Sequence, residues 1–284
     1  MRITSLLAVS AVEASLPLLA VCAFLLSTLV VFAVRCAALG RPRTPSIESR
    51  ALPALWKGLM EWWVWLWGPV ERACVRRGVP PNAITLASTA FAGIAAVLLA
   101  SGRLSVGGWV YLFGASLDLV DGRVARAQGR SSAAGAFLDS TLDRVAELLV
   151  FAGLAIRFRD TATLYAVLAA AGASVLVSYA RARGEALGAG REASVGGMQR
   201  AERVVLTGLP CALSPLLDAL LGAGTGQFAV QCALGVLAAA TSLTALRRGH
   251  AIWRALRGPA TDPSALGNVR KIDPIRWGQR RPGA

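Results

Sequence analysis

The chain has 284 residues, 55% of them hydrophobic, with a net charge of +14 and a mean hydropathy of +0.55. In a soluble protein that charge would suggest nucleic acid, but here the basic residues flank apolar runs and no RNA- or DNA-binding motif is present. The runs are long rather than short and alternating, which excludes a transmembrane β-barrel and leaves an integral membrane protein of helices.

Residues 16–34 form the first apolar run, long and ending in bulky Val30, Val31 and Phe32 before Arg35. A cleaved leader would have a shorter core and a small-residue cleavage site, so this run is expected to be a retained helix within an N-terminal unit of residues 1–52. Residues 36–52 read as a Pro/Arg/Ser linker. In residues 53–79, Leu55, Trp56, Leu59, Trp63, Leu66 and Val70 recur at helical spacing, and Trp62, Trp65 and Trp67 add indole. Such a helix favours the headgroup level, where indole finds apolar and polar surroundings together. Six core spans are predicted near 82–101, 106–126, 134–156, 161–183, 202–222 and 226–246, within a domain of residues 80–247. Residues 248–284 read as a basic tail with Pro and Gly. The fold class is therefore all-α: a polytopic membrane helix bundle of six core helices, an extra N-terminal helix and an interfacial amphipathic helix.

With the N-terminus outside, one side holds only Arg2, Arg103, Arg157 and Arg159 among the 30 Lys and Arg. The positive-inside rule then places the 127–134 turn, the 181–200 loop and the tail in the cytoplasm, the membrane being that of a bacterial cell. The five cysteines, Cys22, Cys36, Cys74, Cys211 and Cys232, form no C-x2-C pair and read as packing residues. His250 is the single histidine and lies in the basic tail, so a histidine-ligated metal site is excluded.

Chemistry concentrates between Asp118 and Asp143. The segment reads Asp118-Leu-Val-Asp121-Gly122-Arg-Val-Ala125-Arg126, then eight residues, then Gly135-Ala-Phe-Leu-Asp139-Ser-Thr-Leu-Asp143. Acids beside hydrocarbon cost a few kcal/mol each on insertion scales and are functional candidates by default. Asp118 and Asp121 are i, i+3, and Asp139 and Asp143 are i, i+4, so each pair shares one helix face. Two helices joined by a short polar turn bring the four carboxylates together. They repel unless cations sit among them, and hard divalent ions such as Mg²⁺ take oxygen ligands beside phosphates.

The pattern D-x2-D-G-x2-A-R-x8-G-x3-D-x3-D resembles the signature of the CDP-alcohol phosphotransferases, matched here at every position over a resemblance covering roughly 80–247. The resemblance implies that an acceptor hydroxyl attacks the β-phosphorus of a CDP-alcohol, here CDP-diacylglycerol, and that CMP leaves. It implies Asp118, Asp121 and Asp139 as ligands of two Mg²⁺ or Mn²⁺ ions, with Asp143 as general base and possible further ligand. Gly122, Ala125 and Gly135 then leave room for the nucleotide, and Arg126 suits a diphosphate oxygen. Pro80-Pro-Asn82-Ala-Ile-Thr85 is similar to the family's P-N-x-x-T entry, which makes Asn82 and Thr85 nucleotide candidates. A homodimer among membrane lipids is also implied.

A second cluster reads Ser178-Tyr179-Ala-Arg181-Ala-Arg183-Gly-Glu185, followed by Arg200-Ala-Glu202-Arg203. These are either anchors and salt bridges or guanidinium groups converging on an acceptor's phosphate. The pattern looks like the branch that uses inositol phosphate, although Arg181 stands where that branch has Lys. Arg181, Arg183, Arg200 and Arg203 are accordingly the acceptor-binding candidates, and glycerol 3-phosphate is the competing acceptor. Two other classes remain, a cation transporter and a non-catalytic scaffold. A transporter would spread polar residues along a pore rather than at one end, and a scaffold would have lost motif acids, of which none is missing.

Overall fold

A computed structural model describes residues 2–42, 54–190 and 197–257. Most of the expected linker, residues 191–196 and the tail beyond 257 lie outside the described residues. Among those described, regular structure is helical throughout: α1 (Arg2–Leu39), α2 (Ala54–Arg76), α3 (Pro81–Ala100), α4 (Leu104–Ala127), α5 (Ala133–Arg157), α6 (Thr163–Ala186), α7 (Arg200–Leu221) and α8 (Thr225–Arg257). The last six coincide with the expected core spans to within a few residues, except at the end of α8. There the expected span stops at 246, but the helix runs to Arg257. Ile252 packs with Ala189 and Ala180, and the Arg257 guanidinium stacks 3.9 Å over the Trp253 ring. The apolar residues of this stretch are interrupted by arginines and do not register as periodicity, but the burial of Ile252 suffices to dock one more helical stretch.

Helices α1 (its Leu19–Leu39 part), α3, α6, α7 and α8 are long and apolar enough to cross a membrane. Helices α4 and α5 have 24 and 25 residues, enough to span about 30 Å of hydrocarbon. Their charge keeps them from scoring as apolar. Exposed Val97, Leu168, Leu176, Phe228 and Leu246 face outward, where lipid rather than water surrounds the bundle. The chain is a multi-pass integral membrane protein built as a helical bundle.

Within the bundle α3 lies against α4 and α5, α7 against α4 and α8, and α6 against α8. One half is close-packed, with Leu99, Leu154, Phe158, Val167, Val230 and Leu237 at 1% exposure or less. Backbones meet there. A Cβ on Gly108 would fall 2.5 Å from the Ala212 nitrogen, and one on Gly153 would fall 2.3 Å from the Ala96 oxygen. Small residues permit this approach, which is how membrane helices associate without a hydrophobic driving force. The acids lie at the opposite end. Helix α2 packs on α4, and α1 touches only α2 and α7 among the closely packed pairs.

Candidate active site

Local sequence sets the two acid-bearing helices. Gly129 makes the turn after α4 at φ +66°, a left-handed conformation that glycine adopts without strain. Ser132 then caps α5, its Oγ accepting from the Gly135 nitrogen at 3.0 Å. The turn is short and α3 packs against both helices, so the acid-bearing ends of α4 and α5 converge beside it.

Asp118, Asp121 and Asp139 each offer a carboxylate oxygen, and these oxygens lie within 4.8 Å of one another. Asp121 is buried and receives the Thr85 hydroxyl at 2.7 Å, which fixes its rotamer. Thr85, expected at the nucleotide, therefore orients an acid. Asn82 is exposed at the start of α3, its Oδ1 3.7 Å from where a Gly135 Cβ would stand. Gly122 meets only the flexible end of Arg126, 3.4 Å from where a Cβ would stand, whereas a Cβ on Gly135 would crowd the capping Ser132 Oγ at 3.1 Å.

Asp143 sits one helical turn beyond Asp139 and joins the cluster through Arg200. The Arg200 Nη1 reaches Asp118, and its Nη2 lies 2.7 Å from Asp143 Oδ1. One guanidinium thus bridges α4 and α5 from α7. Its positive charge offsets the repulsion between Asp118 and Asp143, as expected of acids that need positive charge among them.

The second arginine of that helix behaves differently. Arg203, an acceptor-binding candidate by sequence, is 2% exposed. Its Nε and Nη2 donate to the two oxygens of Glu147 at 2.5 and 3.1 Å, and its Nη1 donates to the Met198 carbonyl at 3.1 Å. The structure turns it into the bundle, not toward the acids. Arg181 donates to Glu185 at 2.9 Å on the surface, and Arg183 is exposed.

Sequence reasoning passed over Glu147, although Asp139, Asp143 and Glu147 follow one another at four-residue steps on one face of α5. The regular spacing was the available signal. It also passed over the partner of Arg123, whose Nε donates to Glu71 Oε2 at 2.5 Å.

The acids, their spacing and the arginine among them suit substituted-phosphate transfer. The profile of the CDP-alcohol phosphatidyltransferases matches residues 79–244. The chain belongs to that family. It is 35% identical over 204 residues to the phosphatidylinositol phosphate synthase of Mycobacteroides abscessus, covering 70% of this chain and 85% of that protein. Two crystal structures of the Mycobacterium tuberculosis phosphatidylinositol phosphate synthase are similar at 28% identity over 70% of this chain. One, with CDP-DAG bound, gives a TM-score of 0.57 over 95% of that chain. The other, with manganese and citrate, gives 0.58 over 90%. The protein is thus a CDP-alcohol phosphatidyltransferase, an enzyme of phospholipid synthesis. Its carboxylate cluster offers the hard oxygen donors that a divalent metal requires, at a spacing that fits one.

Proposed function

We propose that the enzyme transfers the phosphatidyl group of CDP-diacylglycerol to a hydroxyl of inositol phosphate and releases CMP. The observation that carries this reading is the meeting of Asp118, Asp121, Asp139, Asp143 and Arg200 at one end of the bundle. Its likeness to relatives named phosphatidylinositol phosphate synthases supports the acceptor. Asp118, Asp121 and Asp139 would hold two divalent ions, Mg²⁺ or Mn²⁺, which when bound supply positive charge at the diphosphate.

The remaining chemistry belongs to the chain. Asp143 takes the proton of the acceptor hydroxyl as its oxygen attacks the β-phosphorus. The bond from that phosphorus to the oxygen bridging it to CMP breaks, and CMP departs with the electron pair. Asn82, Gly122, Ala125, Arg126 and Gly135 line the nucleotide's place, and Thr85 acts behind Asp121. Arg181, Arg183 and Arg200 receive the acceptor's phosphate through charge-assisted hydrogen bonds. Arg200 leaves its carboxylate partners as substrate binds, while Arg203 stays with Glu147.

The distribution of basic residues supports an active site facing the cytoplasm, and the family resemblance supports a homodimer. Purified protein with CDP-diacylglycerol and Mn²⁺, offered inositol phosphate, glycerol 3-phosphate and free inositol, tests the acceptor by CMP release. Inositol phosphate is expected to be preferred, and Arg181→Ala to raise its KM by roughly tenfold or more. Equal use of free inositol would remove the phosphate-binding reading while leaving the reaction. In a cysteine-free background, a cysteine at exposed Ser131 is expected to resist an impermeant thiol reagent in intact cells, and one at exposed Ser101 to react. The reverse pattern refutes the orientation. Crosslinking in the membrane tests the dimer.

A further inference from the structure

Helix α2 lies outside the residues matched by the family profile, yet it grips the acid-bearing helix α4 at several heights. The Trp67 ring meets Phe113 at 5.4 Å. The Trp63 Nε1 donates to Ser116 Oγ at 3.1 Å, and Arg123 Nε donates to Glu71 Oε2 at 2.5 Å. Just past α2, the Val79 carbonyl accepts from Gln128 Nε2 at 3.1 Å. Between these polar contacts, Val120 and Val124 are buried against Trp67, Cys74 and Val75. Positions 113, 116, 120 and 124 return every three or four residues and so form one stripe of α4.

The stripe brackets the acids. Ser116 precedes Asp118 by two residues, and Arg123 follows Asp121 by two. At roughly 100° per residue, the acid face lies roughly 125° around the helix from the stripe. Helix α2 therefore holds α4 from the side and leaves its acid face free. Helix α2 is held in turn: Glu61, only 4% exposed, pairs with Arg41, and Trp65 meets Phe32 of α1 at 5.6 Å.

The geometry points to α2 as a splint for the metal site, with Trp63 and Glu71 as positioning residues that set the height and rotation of α4. Asp118 and Asp121 come from α4 and Asp139 from α5, so their mutual spacing changes whenever α4 slides or turns. Divalent ions tolerate little of this, because their ligand distances hold to about 0.2 Å and Mg²⁺ demands near-octahedral geometry. The inference rests on the reading of the three aspartates as metal ligands.

Calorimetric titration of the purified full-length protein with Mn²⁺, without substrate, tests it on Trp63→Phe, Glu71→Gln, Arg123→Gln and the Glu71→Gln/Arg123→Gln pair. Each single variant is expected to weaken Mn²⁺ binding about three- to tenfold, less than the 10- to 100-fold typical of a group bonded directly to a ligand. The double variant should be no worse than either single, because both remove one contact. At saturating Mn²⁺, kcat should fall less than the affinity does. Trp63→Phe keeps the aromatic packing and removes only the donor, so it remains informative should the charge variants fold poorly. If Glu71→Gln weakens and Arg123→Gln strengthens binding, the effect is charge acting through space and the splint is wrong. Unchanged Mn²⁺ affinity in all variants overturns it as well. If the wild-type protein itself takes up no Mn²⁺, the metal reading fails first and the splint with it.

Discussion

The two ends of the bundle use small residues for opposite purposes. At the packed end Gly108 and Gly153 let helices touch backbone to backbone, and a Cβ at either has no room. At the acid end a Cβ on Gly122 would meet only the movable tip of Arg126, and one on Gly135 would crowd the capping Ser132 Oγ at 3.1 Å but no backbone of another helix. The first pair closes the structure and the second keeps it open. Both ends bury apolar side chains, Leu99 and Leu237 at one and Val120 and Val124 at the other, all at most 1% exposed, but Asp118 and Asp143 keep 14% and 13% of their side chains accessible. A tight end fixes the helix axes, and the open end can then hold like charges close without collapsing. Changes at the acid end should therefore alter catalysis with little effect on folding, and changes at the packed end the reverse.

The largest effect is expected at Asp143. Asp143→Asn should lower kcat by about 10²–10⁴-fold at saturating substrate, the usual range for loss of a general base, with thermal unfolding unmoved. CMP release and a melting curve measure both. If Mn²⁺ affinity falls as far as in Asp121→Asn, Asp143 is chiefly a ligand. Chelation with excess EDTA should stop turnover outright, since the carboxylates need a cation among them.

Glu147→Gln is the case most able to break the comparison. It lies on the acid-bearing face, but its partner Arg203 is buried at 2% exposure. Leaving that charge unpaired should cost about 3–5 kcal/mol of stability, read from chemical or thermal unfolding in detergent. A variant that unfolds normally but loses acceptor affinity would return Arg203 to the substrate site.

At the packed end, Gly153→Ala must push α5 from Ala96 and should cost about 1–3 kcal/mol, with turnover per folded molecule retained. Retained stability would mean that the packed end yields more readily than its contacts imply. The smallest effect belongs to Gly122→Ala. Stability should hold within about 0.5 kcal/mol, while the KM for CDP-diacylglycerol rises by up to about tenfold, equivalent to about 1.4 kcal/mol. A stability loss there equal to that at Gly153 would erase the distinction between the ends.

Much of the fold was legible in sequence because its signals are local. Apolar runs marked the six core helices, four of them of bilayer length and two interrupted by the acids, and i, i+3 and i, i+4 spacing put each aspartate pair on one face whatever the rest of the chain did. Glu147 continues the four-residue step from Asp139 and Asp143, a local signal that the sequence reading passed over. Other features depended on how helices rotate and approach one another. Arg200 and Arg203 are three residues apart and chemically identical, yet one reaches Asp118 and Asp143 while the other is taken by Glu147. Arg123 finds its partner in Glu71, 52 residues away on α2, which no local spacing could announce. Helical periodicity assigns each residue a face from its own neighbours. Which residue on another helix meets that face is decided by axis separation and register, set here by glycines and alanines tens of residues away.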